Sequence, residues 1–218
     1  LSLDLKAGDE IITAGNEYVG NYLSLLALAR HRGIRFQTLA LGADGLIKAE
    51  VLENQLSTKT RAIVVTHIAS QRGDIQDIKA IAEIARSEGI CLLVDACQSV
   101  GQLPLDLQEI KCDFLCGTGR KYLRGPRGTG FLFARNQSTA SFTPPVLDLQ
   151  SASWDAAESF TVKKSAGRFE SFERNLAGQI GLGRAAEYAN ALGMTHIAAR
   201  IQSLAEKPIN LPRYIQDF

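Results

Sequence analysis

Residues 90–132 read ICLLVDACQSVGQLPLDLQEIKCDFLCGTGRKYLRGPRGTGFL. The run 90–94 is apolar throughout and stops on Asp95. A second apolar run at 113–117 opens into the turn Gly117-Thr118-Gly119-Arg120-Lys121, and a Gly/Pro segment at 125–130 leads into a third. Strands without an exposed polar face belong to sheets covered on both sides, and such sheets are mostly parallel. Open α/β sheets bind ligands beyond the carboxyl ends of their strands. A carboxylate that closes an apolar strand, and a lysine just past the next one, therefore fall where chemistry is expected.

The pattern extends outward from this stretch. Short β-type runs occur at 10–14, 35–41, 61–66, 90–95, 113–117 and 130–134. Helical periodicity separates several of them. Between 75 and 88, Ile75, Ile78, Ile81, Ala82 and Ala85 form one stripe, with Asp74 as expected N-cap and Gly89 as stop. A helix is expected at 18–32, with Tyr22, Leu25, Leu26 and Ala29 inward and Gly33 at its end, and another at 48–56. Alternation of strand and helix predicts an α/β fold, a mostly parallel sheet with helices on both faces. The Pro- and Ser-rich stretch 141–175, which holds Trp154, reads as irregular. Helices return at 176–192 and 196–205, the latter with Thr195 as cap; the segment after 205 shows no period.

The bulk properties fit a soluble globular chain. It has 218 residues, 45% hydrophobic and 22% charged, with a formal net charge of +1. That charge gives no reason to expect nucleic acid or a membrane surface as partner. No apolar stretch approaches the ~20 residues that cross a bilayer. Cys91, Cys97, Cys112 and Cys116 lack zinc-site spacing, so free thiols, no metal and a reducing cytoplasm are expected. The chain opens on Leu1 without a targeting pattern, and reads as a piece of a longer protein.

Lys121 stands between a strand and a Gly/Pro loop, beside Arg120. A neighbouring cation favours a neutral, nucleophilic lysine amine, the form that condenses with carbonyls. Arg120, Lys121, Arg124 and Arg127 read equally as a solvated basic loop or a nucleic-acid patch. The glycines meet neither the GK[ST] ending of a P-loop nor GxGxxG, whose last position here is Tyr122. A dinucleotide site would further need a glycine fingerprint after the first strand, where the sequence is AGNEYVG.

Taken together, Asp95-x-x-Gln98, then Thr118-x-Arg120-Lys121, then Gly125-Pro126-x-Gly128-x-Gly130 resemble the class V aminotransferase and cysteine desulfurase family of pyridoxal-phosphate enzymes. The resemblance covers the chain to about residue 193. It implies a type I pyridoxal-phosphate transferase large domain at 1–193, incomplete at its N-terminus, and the start of a truncated C-terminal region at 194–218. It implies an enzyme acting on an amino acid by transamination, C–S cleavage or desulfuration, working as a homodimer. By position, Lys121 would hold pyridoxal 5′-phosphate as a Schiff base, and Asp95 would pair with the ring nitrogen. Gln98 would bond the phenolic oxygen, Thr118 and Arg120 would bind the phosphate, and Tyr18 would stack on the ring where the family usually has histidine.

Three positions keep a plainer reading: Tyr18 as a helix-start core residue, His67 of the Thr66-His67 segment as a buried histidine, and Arg168 as a structural residue. None of the cysteines stands where desulfurases carry the sulfur acceptor. The resemblance also leaves open a truncated homologue that keeps only the fold.

Overall fold

A computed structural model describes residues 3–136 and 142–206. Its six-stranded sheet contains β1 (Glu10–Ala14), β2 (Arg35–Leu39), β3 (Thr60–Thr66), β4 (Cys91–Asp95), β5 (Phe114–Thr118) and β6 (Gly130–Ala134). The spatial order is β2-β1-β3-β4-β5-β6. The first five strands are parallel, and β6 runs antiparallel to β5. The reversal follows from the connection: a Gly/Pro loop joins β5 to β6, with no crossover helix to carry the chain back. All six strands lie where the apolar runs place them, to within two residues at each end.

The period-2 geometry of a strand explains why both faces are apolar. Ile12, Ile63, Val65, Leu92 and Val94 point into one core, packed against Leu52, Ile78, Ile81, Ala82 and Ala85. These come from α2 (Ala49–Gln55) and α3 (Ile78–Ser87), and α4 (Leu107–Ile110) adds Ile110. The alternate residues Ile11, Ala62 and Val64 point the other way, onto Leu28, Leu25 and Ala29 of α1 (Val19–Arg32). Helices thus cover both faces. Leu52 and Ile63 are fully buried, and truncating such a side chain to alanine costs about 2–5 kcal/mol.

Several local expectations shift. Asp77 caps α3, accepting from the Ala80 amide at 3.1 Å. Asp74 instead pairs with Arg72 Nε at 2.9 Å. Ile75 therefore precedes the helix, bridges to Ile68 and is exposed. In α1, Leu28 is the buried residue, while Tyr22 is half-buried with its ring edge-on to Phe36 at 4.9 Å. Gly33 and Gly89 take the left-handed conformation expected of helix stops.

The stretch expected to be irregular contains an antiparallel pair, β7 (Ala152–Ala156) and β8 (Ser159–Val162), and a 3-10 turn at Ala166–Phe169. Its strands present most of their residues to solvent, so no apolar alternation marks them. Asn175 caps α5 (Leu176–Leu192), and α6 (Met194–Ala205) begins directly after Gly193, one residue before Thr195. Residues 207–218 lie outside the described residues.

Candidate active site

Thr66, Asp95 and Thr118 close β3, β4 and β5 at the same edge of the sheet. Strand register makes Thr66 the neighbour of Asp95 on one side and Cys116 its neighbour on the other. The chain leaving β1 turns over this edge through Glu17 and enters α1 at Tyr18 and Asn21. These elements enclose a cavity of about 250 Å³, lined by Tyr18, Asn21, Thr66, Ser70, Asp95, Cys97, Gln98, Cys116, Thr118, Arg120 and Lys121. All six residues expected from the sequence to form the site line it.

Asp95 is 5% exposed. Its Oδ2 accepts from Asn21 Nδ2 at 2.7 Å, and its Oδ1 from the Cys97 amide at 2.8 Å. The Asn21 amide also donates to Glu17 Oε1 at 3.0 Å, which further accepts from the Tyr18 amide and from Thr66 Oγ1. Among the described residues no lysine or arginine forms an ion pair with Asp95. A buried carboxylate held only by neutral donors retains a large desolvation cost. A protonated heterocycle entering the cavity would offset it.

The opposite charge is supplied by the next loop. Arg120 is exposed and Lys121 half-buried on the same cavity. The loop that carries them is closed at its base: the Gly119 amide donates to Thr129 O at 2.8 Å, and the Gly125 amide to Gly119 O at 2.7 Å. A Cβ at Gly119 would stand 2.1 Å from Thr129 Oγ1, so any larger residue here would displace the Thr129 side chain from its bond to Pro126 O. The Arg124 amide donates to Lys121 O at 2.9 Å and tightens the turn beside the lysine.

Cys97 and Cys116 meet in the floor of the cavity. Their shared hydrogen bond pulls the Cys97 thiol below its ordinary range and pushes that of Cys116 up. Burial raises Cys91 to about 12 and Cys112 to about 11. The sequence spacing shows neither this pairing nor the roles of Asn21 and Glu17. A residue 21 that touches a residue 95 leaves no local signal, because the contact depends on β1 and β4 being separated in the sheet by β3 alone.

His67 is 6% exposed, and burial holds it at about 4. It faces away from this cavity into a larger one of about 630 Å³, also lined by Gln76, Asp77 and Met194. Arg168 is buried, and its Nη1 donates to Phe142 O at 3.1 Å beside the ring cluster of Phe114, Phe142 and Phe169. It does not line the 250 Å³ cavity.

The fold matches solved structures. The apo cysteine desulfurase of Thermococcus onnurineus superposes with a TM-score of 0.80 at 26% identity, over 88% of this chain and 48% of that one. The cystine C–S lyase C-DES, solved with its reaction product cysteine persulfide, superposes with a TM-score of 0.81 at 28% identity, over 88% and 52%. The fold is that of the large domain of pyridoxal-phosphate-dependent cysteine desulfurases and their relatives.

The profile of the family Aminotransferase class-V matches residues 1–211, and the chain belongs to that family. A probable cysteine desulfurase of Methanothermobacter thermautotrophicus is 31% identical over 94% of this chain and 51% of its own length. A cysteine desulfurase of Escherichia coli is 34% identical over 92% and 50%. The chain spans about half the length of the curated relatives it matches.

Proposed function

We propose that this chain forms the cofactor-carrying half of a pyridoxal-phosphate enzyme that acts on a sulfur-containing amino acid by C–S bond cleavage. The observation that carries the reading is the pairing, in one cavity, of a buried carboxylate that has no cationic partner among the described residues with a lysine on a closed Gly/Pro loop. The relatives that are desulfurases and a C–S lyase support the reaction class.

Pyridoxal phosphate, when bound, supplies an electron-withdrawing ring that stabilises negative charge at the substrate's α-carbon. The residues would divide the remaining work. Lys121 would hold the cofactor through its amine and then carry the proton to and from the α-carbon. Asp95 would keep the ring nitrogen protonated, and Asn21 and the Cys97 amide would fix that carboxylate in place. Gln98 would donate to the phenolic oxygen. Thr118 and Arg120 would bind the phosphate by hydroxyl and guanidinium. The aromatic face of Tyr18 would cover the ring and exclude water.

Four free cysteines fit a reducing cytoplasm, and we place the protein there as a homodimer. No helix among the described residues is long and apolar enough to cross a membrane.

Spectral titration with pyridoxal phosphate tests the reading. Stoichiometric binding with a new visible band supports it, and loss of that band in Lys121→Ala assigns the amine. A folded protein that takes up no cofactor supports instead a homologue that keeps only the fold.

A further inference from the structure

We propose that Asp95, Cys97 and Cys116 form a binding site for one thiophilic divalent cation of the zinc and cadmium class, and that its occupation closes the cavity to the cofactor. One carboxylate oxygen and the two Sγ atoms all lie within 4.8 Å of one another. Zn–S and Zn–O bonds of about 2.3 and 2.1 Å at the tetrahedral angle set the donors about 3.6–3.8 Å apart. The three donors thus stand within about 1 Å of ligating separation.

The backbone beneath them is fixed. Asp95 and Cys116 are register partners on adjacent strands. The Ala96 amide donates to Cys116 O at 2.9 Å, and the Cys97 amide to Asp95 Oδ1 at 2.8 Å. Two thiolates and a carboxylate form a donor set that favours zinc over magnesium or calcium. The cavity leaves the fourth position to water. Three anionic donors around a dication leave one negative charge, which Lys121, on the same cavity, offsets.

The other two cysteines do not compete: Cys112 is buried in the α2/α3 core, and Cys91 packs against the α1 face. Cation binding is independent of the function proposed above. The exclusion of cofactor rests on that reading, because both ligands would use Asp95.

The test is titration of the reduced, metal-free protein with Cd²⁺, followed by the ultraviolet cadmium–thiolate charge-transfer band. Saturation at one equivalent is expected. In Cys97→Ala and in Cys116→Ala, affinity should fall more than about 100-fold, since loss of even an outer-shell partner costs about 10–100-fold. A band unchanged in both variants overturns the site. So do two thiols missing from the freshly isolated protein and recovered by reductant, which would mark the pair as a disulfide.

In a second arm, pyridoxal phosphate is added to the cadmium-loaded protein. No visible band should appear until a chelator removes the metal. A full visible band with the metal retained overturns the exclusion. Cadmium binding in a protein that takes up no cofactor even after chelation supports the cation site and counts against the cofactor reading.

Discussion

The side-chain amide of Asn21, on the first turn of α1, donates to Asp95 Oδ2 at 2.7 Å across 74 residues of sequence. The contact ties the helix that follows β1 to the carboxylate that closes β4, and it fixes which way that carboxylate faces. A hydrogen bond to a charged group contributes about 1.5–3 kcal/mol. Asn21→Ala should therefore weaken pyridoxal phosphate binding by about 10- to 100-fold while the protein still unfolds cooperatively. Spectral titration of the two proteins side by side gives the answer. Equal affinities would remove Asn21 from the site.

Gly101 lies under the turn that carries Lys121. Its φ is +81°, and a Cβ there would stand 2.6 Å from the Tyr122 carbonyl carbon and 2.7 Å from the Leu123 amide nitrogen. Backbone atoms cannot swing aside as a side chain can, so the Lys121–Leu123 segment must shift. Gly101→Ala should lower stability by about 2 kcal/mol or more and reduce cofactor uptake as well. Denaturant unfolding and cofactor titration on the same preparation test both halves. A variant of wild-type stability would mean that the turn adapts without strain.

The sequence made the sheet legible because its central strands are buried on both faces, so runs such as ICLLVD and TRAIVVT stand out from their surroundings. It also made Tyr18, Asp95, Gln98, Thr118, Arg120 and Lys121 legible as a group, and the fold gathers them around one cavity. The β7/β8 pair escaped because Trp154 and Phe160 are exposed and give no alternation. The cap of α3 was misplaced by three residues because Asp74 and Asp77 are both good caps, and only the bridge from Ile68 to Ile75 decides between them. Asn21 and the Cys97–Cys116 pair were invisible for a common reason. Each depends on which strands become neighbours, and residue spacing does not encode that.

His67 carries a prediction about acid stability. Desolvation lowers it from 6.5 to about 4 in the folded chain, opposed by the nearby Asp77. The unfolded chain therefore binds the extra proton first as pH falls. The stabilising contribution is fully present above about 6.5 and is lost as pH drops toward about 4. At about 1.4 kcal/mol per unit this amounts to no more than about 4 kcal/mol. Denaturant midpoints measured at several pH values should fall across that window in the wild type and fall less in His67→Gln. Parallel curves for the two proteins would show that His67 is not responsible.

Lys121 is the residue on which the functional account depends, and reduction of the loaded protein with borohydride examines it most directly. The reagent fixes the cofactor to the nitrogen that holds it, and peptide mass mapping then locates the added phosphopyridoxyl group. The account predicts a single modified residue, Lys121, with the peptide spanning the Gly119–Gly125 loop carrying the full mass increase. A label on another lysine, or none in a protein that shows the visible band, would contradict it.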